Sequence, residues 1–257
     1  MLKVLNLRPR PGGLVRSLPA CLAVACLAAV ARGNATEADS HRFLTLEPGS
    51  ELPSGAACAE SVRRSGWDPR PQNEEANQTQ VISGVSIDGA AEWFNEAYAG
   101  RIDGAFTGTT DEIIQWGSCK WGFNEDITRA RAVQESYWRQ SEVGDRTTDA
   151  EACAAISQSA PCWQSYGLLQ VKGPIHDGTY PAARDSTAFN VDYSLAWLRA
   201  CYEGAFSHWL KNGYGPGSEW GCVGAWFSGE WHDPAAKKYI QEVRVHLADR
   251  LWEQPDF

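Results

Sequence analysis

Asp192-Tyr-Ser-Leu-Ala-Trp-Leu-Arg-Ala-Cys-Tyr-Glu-Gly-Ala-Phe-Ser-His-Trp-Leu210 is the stretch from which the fold is read. Its apolar residues fall nearly all round a 3.6-residue helix instead of along one stripe, the pattern of a helix surrounded by other elements. Such a helix needs partners, and the neighbouring sequence offers two. Upstream, Ile127, Ala130, Val133, Tyr137 and Trp138 line one side of a helix expected over residues 125–140, with Asn124 as its N-cap. Downstream, Pro234 opens a last helix whose stripe is Ile240, Val243, Leu247 and Leu251. Strand signals are thin, the best being Gln80-Val-Ile-Ser-Gly-Val-Ser-Ile87. The fold class expected is mainly α.

The chain begins with positive charge only (Lys3, Arg8, Arg10, Arg16), followed by the apolar run from Leu18 to Ala31. That order is the n-region and h-region of a secretory signal, and the run's 14 residues fall short of a bilayer span. Residues 1–31 are therefore read as a signal peptide cut after Ala31 or Ala35, and the protein as secreted or periplasmic. A lipid anchor on Cys21 or Cys26 is the alternative. Loss of residues 1–31 takes four positive charges and no negative ones from a net charge of −9, leaving −13. An acidic chain is a poor nucleic-acid binder, because neutralising phosphates takes a basic face. Residues 32–57 are polar and read as a mobile lead-in, and 58–257 as one domain that needs no stable membrane insertion and exists as a monomer. The turn-rich segment Asp68 to Asn77 reads as an exposed loop. Asn34-Ala-Thr and Asn77-Gln-Thr match glycosylation acceptors, which are read as chance matches.

Six cysteines remain beyond the signal, an even set that reads as three disulfides in an oxidising compartment. The pairing expected is Cys58 with Cys119, Cys153 with Cys162 and Cys201 with Cys222, each sequential and closing a modest loop, although six cysteines allow 15 pairings. No pair has Cys-x-x-Cys spacing and the five histidines are scattered, so no metal site and no cofactor is expected.

Glu135 falls about 60° beyond Trp138 around its helix, at the edge of the buried stripe. A carboxyl half withdrawn from water beside an aromatic ring is held protonated towards neutral pH, as a general acid requires. The plain alternative is a surface glutamate on a helix flank. Two further segments carry possible chemistry. In Ser165-Tyr-Gly-Leu-Leu-Gln-Val171, Gln170 offers an amide to sugar hydroxyls. Gly221-Cys-Val-Gly-Ala-Trp-Phe-Ser-Gly-Glu-Trp231 combines glycines with aromatic rings able to stack on sugars, although core packing accounts for most of the 12 Trp.

In their order, Glu135-Ser136, then Gly167-Leu-Leu-Gln170, then Ala225-Trp-Phe-Ser-Gly229 resemble the three motifs of soluble lytic transglycosylases and goose-type lysozymes: Glu-Ser, Gly-Leu-Met-Gln and Ala-Tyr-Asn-Ala-Gly. The resemblance covers roughly residues 115–245. It implies a lysozyme-like domain, peptidoglycan glycan strands as substrate and partner, and cleavage of the β-1,4 bond from N-acetylmuramic acid to N-acetylglucosamine. Glu135 is then the catalytic acid and base, with Ser136, Tyr166, Gly167, Gln170, Trp226 and Ser228 around the substrate. Leu169 replaces the family's methionine, a change of similar volume. The third motif departs further. The family's tyrosine, which hydrogen-bonds the catalytic glutamate, falls on Trp226, whose indole donates and cannot accept; the asparagine falls on Phe227. The 31 residues between Glu135 and Gly167 exceed the family's spacing and contain Cys153 and Cys162, a stapled insertion.

Three other readings stay open. Cys162-Trp163 faintly resembles a thiol protease, but a free catalytic cysteine leaves five to pair. A non-catalytic glycan-binding module would keep the groove and lose the chemistry. A hydrolase would need a second carboxylate, for which Asp145, Asp177, Asp185 and Glu230 are the candidates. No Gly-x-Ser-x-Gly surrounds Ser228, which leaves a serine hydrolase without support.

Overall fold

A computed structural model describes residues 43–81 and 84–257, which belong to one compact unit. The protein is mainly helical with little sheet and three disulfides. The helices of the first half are α1 (Gly55–Ser61), α2 (Glu74–Gln78), α3 (Glu92–Tyr98), α4 (Thr110–Trp121) and α5 (Glu125–Ser136). A small antiparallel sheet of order β1-β2-β3 follows, made of β1 (Val143–Gly144), β2 (Ser165–Tyr166) and β3 (Val171–Lys172), with α6 (Ala150–Ala155) between its first two strands. Then come α7 (Ala182–Asp185), α8 (Thr187–Tyr202), α9 (Glu219–Ser228) and α10 (Pro234–Asp249).

The opening stretch does form the central helix, with every residue of α8 buried. It runs over Thr187–Tyr202 and not to Leu210, because the chain turns at Gly204, whose φ of +91° a side chain would strain. Around α8 lie α4 and α9, while α10 packs on both α5 and α9. Burying a helix on all sides also buries its polar residues; most of these find partners, the Thr187 hydroxyl being left without one among the described residues. Asp192 accepts from Lys120 Nζ at 2.8 Å, Trp121 Nε1 at 2.6 Å and the backbone N–H of Asp103 and Gly104, both at 2.9 Å. Arg199 donates to the carbonyls of Leu46 and Glu47 at 2.8 and 2.9 Å.

That guanidinium is one of the contacts that tie down the described part of the lead-in expected up to residue 57, together with Phe43 N–H on Glu125, Thr45 on Glu219 and Gly49 N–H on Glu203. Leu46 N–H also reaches Gly122 O, and α1 already begins at Gly55. Three more expectations are corrected. None of the described residues between Gln80 and Ile87 lies in a strand, because both main-chain groups of Ile87 bond to the Asn95 side chain. Asp68 to Asn77 is no exposed loop: Asn73 bonds Trp138 O at 2.8 Å and Gln140 N–H at 2.9 Å, so this segment braces the chain after α5. Asn77 is buried against Asp68 and Thr110, where no glycan fits. Tyr137, read as core, is exposed and closes α5 in the left-handed region. The signal segment, Cys21, Cys26 and Asn34 lie outside the described residues.

The disulfides pair as expected: Cys58–Cys119, Cys153–Cys162 and Cys201–Cys222. Cys153–Cys162 staples the insertion onto a satellite cluster with Ile156 and Tyr166. Among the described residues no helix is long and apolar enough to cross a membrane, and no group of three metal-binding side chains converges. The bridges and this absence are compatible with an exported protein. Loop entropy ranks the bridges, since the unfolded chain loses more freedom when a longer loop is closed. Replacing Cys58 and Cys119, 61 residues apart, with alanine should cost about 4 kcal/mol in denaturant unfolding, against about 2.5 kcal/mol for Cys153 and Cys162, 9 apart. Equal losses would contradict this ranking, and native protein should show no free thiol among the six.

Candidate active site

Helix α5 places Glu135 one residue before its end. Asn124 starts the helix by accepting from Asp126 N–H at 2.8 Å, and Tyr137 ends it with φ +54°. Three buried side chains then fix the next segment against that end. Ser136 Oγ donates to Leu168 O at 2.8 Å. Gln140 accepts from Leu168 N–H at 3.0 Å and donates to Ala183 O at 2.9 Å. Asn190, on α8, accepts from Leu169 N–H and donates to Tyr166 O, both at 2.8 Å. The turn Gly167–Gln170 between β2 and β3 is thus built onto α5 and α8. Gly167 sits at φ +80°, and a Cβ there would lie 2.7 Å from both Ala183 O and Gln140 Nε2, so only glycine fits.

Several residues expected to touch substrate already have partners within the protein. Ser136 and Tyr166 are buried, Ser136 on the main chain and Tyr166 with its hydroxyl on Trp163 O. Gln170 spends its amide N–H groups on Glu142 O and Gly167 O. Ser228 latches the end of α9, accepting from Glu230 N–H at 3.1 Å and donating to Glu230 O at 3.0 Å. Glu135 and Trp226 do come together at the site, where the indole favours the ionised carboxyl.

The partner that sequence reasoning missed is Tyr239. Its hydroxyl donates to Glu135 Oε1 from α10, where it is buried beside the expected core residue Ile240. Arg131, one turn before Glu135, was also missed; it is fully buried and donates to Ser194 Oγ at 3.0 Å, while its Nε and Nη1 find no partner. Burial pushes the Glu135 carboxyl up to about 7, against the opposing pull of Tyr239, Arg131 and Trp226. Burial likewise raises Glu219, at the start of α9, to about 7, although Thr45 donates to it at 2.9 Å and Arg131 attracts its charge. Trp226 stacks on His176, ring centroids 5.2 Å apart and planes within 7°, and burial depresses that imidazole to about 4, which leaves it neutral.

Among the four candidate second carboxylates, Asp145 is the one whose charge acts on Glu135, raising it further. It follows β1 and accepts from Ser165 Oγ at 2.9 Å and Lys172 Nζ at 3.0 Å. Burial alone would raise its carboxyl, but those two donors hold it below the ordinary aspartate value. One carboxyl is thus held protonated towards neutrality and a second is held ionised, the arrangement acid–base chemistry uses. A cavity of about 490 Å³ elsewhere, lined by Trp67, Asp111, Arg129 and Arg250 among others, holds the Arg129 and Arg250 guanidinium groups in ion pairs with Asp111, Asp126 and Glu253. With the Arg129 and Arg250 charges paired inside the protein, Glu135 is the candidate centre in preference to that cavity.

No protein-family model matches the chain, and no curated protein or solved structure matches it either. The functional reading therefore rests on the residues themselves.

Two outcomes follow. Glu135 and Glu219 have folded-state values above the 4.5 of a free glutamate, so the folded protein holds protons that the unfolded chain releases. Their stabilisation is complete below about 4.5 and is lost as the pH rises through about 7. The stability of Glu135→Gln or Glu219→Gln, measured against the wild type, should therefore shift in the variant's favour between those pH values; a difference independent of pH would refute the shifts. Gly167→Ala should lose about 2 kcal/mol or more, from strain and from the clash. Full retention of stability in urea unfolding would show that the turn can yield.

Proposed function

We propose that the protein is an exported, lysozyme-like lytic transglycosylase that cleaves the β-1,4 bond between N-acetylmuramic acid and N-acetylglucosamine in peptidoglycan glycan strands. The observation that carries this reading is the Glu135 carboxyl: desolvated, pushed up to about 7, and held by Tyr239 at the end of a helix braced by the Gly167–Gln170 turn. Those segments are the ones in which the sequence resembles the family.

In the proposed reaction Glu135 gives its proton to the glycosidic oxygen as that bond breaks, leaving an oxocarbenium-like muramyl centre and a free glucosamine hydroxyl. The muramic acid's own 6-hydroxyl then bonds to C1, and the Glu135 carboxylate takes the hydroxyl's proton. Proton count is restored and no water is consumed. The attack is intramolecular, so effective molarity favours it. No step calls for a metal or cofactor, and the enzyme acts as a monomer on its strand.

A second reading has one specific observation behind it. Asp145, ionised and electrostatically coupled to Glu135, has the charge state needed to activate water for hydrolysis. Mass spectrometry of a peptidoglycan digest separates the two. The transglycosylase yields 1,6-anhydromuramyl ends, each one water lighter than a hydrolysed end and inert to borohydride. Reducible ends carrying heavy oxygen from labelled water would make the protein a hydrolase, and Asp145→Asn would then abolish turnover. In either case Glu135→Gln should fold and lose about 10²-fold or more of the activity. Retention of more than about a tenth of wild-type turnover would remove Glu135 from the mechanism. Absence of turnover in the wild type, with glycan still bound, would favour a binding module.

A further inference from the structure

Phe227 is an apolar ring with no visible structural reason for its exposure. It is 56% exposed, in the last turn of α9, at the position where the resembled family carries asparagine. Leaving a phenyl ring in water forgoes the hydrophobic gain of burying it. Yet this ring is not loosely held. It stacks on Tyr239 with centroids 4.7 Å apart and planes within 5°. Tyr239 is buried and donates to Glu135.

The backbone is built to hold Phe227 there. Three residues earlier, Gly224 lets α9 approach α10 so closely that a Cβ would lie 2.8 Å from Ile240 Cδ1 and 3.0 Å from Ala236 Cβ. That approach brings position 227 over position 239. On the other side of Phe227, Ser228 bonds the main chain of Glu230, and Gly229 ends the helix at φ +74°. One face of the ring is thus covered by the tyrosine that serves Glu135, while the ring's exposure leaves it open to whatever enters the site.

We propose that Phe227 is a sugar-stacking platform of the Glu135 site, taking the apolar C–H face of one pyranose ring of the bound glycan strand. The proposal rests on the glycan-cleaving reading and adds a specificity residue to it. A pyranose presents a flat patch of C–H groups to a ring face, and a rigid aromatic supplies that contact at little entropic cost. The rival role is a cover that only keeps water from the Tyr239–Glu135 hydrogen bond. The two roles differ in what they move: a platform sets affinity, whereas a cover sets the pH dependence of turnover.

Binding is measured in the full chain carrying Glu135→Gln, with soluble, uncrosslinked glycan strands freed of stem peptides as the probe. Adding Phe227→Ala should weaken binding roughly tenfold, as loss of a well-packed aromatic anchor does. Phe227→Trp should bind within about threefold of the parent, because any flat aromatic serves. In the active protein Phe227→Ala should raise KM and leave the pH profile of kcat in place. Unchanged binding by Phe227→Ala, or a moved pH profile with unchanged KM, would overturn the platform. Failure of the Glu135→Gln parent to bind strands at all would overturn the glycan reading together with it. A parent that binds while Phe227→Ala binds equally would sink the platform alone.

Discussion

Complete burial of α8 is the constraint on which the rest of the structure depends. A helix with no solvent face leaves none of its side-chain polar groups to water, and each one left unpaired would cost on the order of 1–3 kcal/mol. Its four polar anchors answer that requirement in different directions. Asp192 collects α4 and the segment before it, Arg199 collects the chain around Leu46, Asn190 collects the Gly167–Gln170 turn, and Ser194 collects Arg131 of α5. The surroundings of Glu135 are therefore assembled by the same device that holds the core together. Asn190 and Ser194 are one turn apart on α8, so the turn and the Glu135 helix are referenced to a single rigid element.

The electrostatics of the site follow from that assembly. Arg131 is carried into the interior by α5 and donates to Ser194 Oγ, with Nε and Nη1 left without a hydrogen-bonding partner among the described residues. Glu135 lies one turn along the same helix and Glu219 at the start of α9, and Arg131 attracts the charge of both. Burial nonetheless wins at both carboxyls and lifts each to about 7. At neutral pH each carboxyl is poised between its protonated and ionised forms, the condition that the proposed acid–base role of Glu135 uses.

Much of this was legible in the sequence where a local rule decides. All-round apolarity marked α8, Asn124 marked the start of α5, Pro234 marked α10, and sequential cysteines met across short spans. Glu135 at the edge of an apolar stripe already implied a half-desolvated carboxyl. What stayed hidden was set by contacts between distant segments. Polar composition cannot tell a side chain that faces water from one that satisfies buried groups, so the segment from Asp68 to Asn77 reads as an exposed loop although Asn73 and Asn77 are buried. The same holds for Ser136 and Gln170, whose internal hydrogen bonds to Leu168 O, Glu142 O and Gly167 O leave no trace in the sequence. Tyr239 left only a weak trace, a tyrosine next to Ile240, because its meaning depends on which helix α10 packs against.

The departure of the third motif from the resembled family acquires a physical logic once Tyr239 is included. An indole N–H stabilises a carboxylate but offers nothing to a protonated carboxyl, which needs an acceptor for its own O–H. A phenol hydroxyl does both, donating to the ionised form and accepting from the protonated one. Trp226 alone could serve only the ionised form of Glu135, whereas the Tyr239 hydroxyl can serve both forms. With that duty carried from α10, position 226 is free to remain an indole stacked on a neutral His176, which brings no additional positive charge beside the carboxyl. Position 227 is likewise free of any hydrogen-bonding role and holds a phenyl ring laid flat on the tyrosine. The motif's chemistry is thus distributed over two helices, and the distance between them is set by Gly224, where no side chain fits.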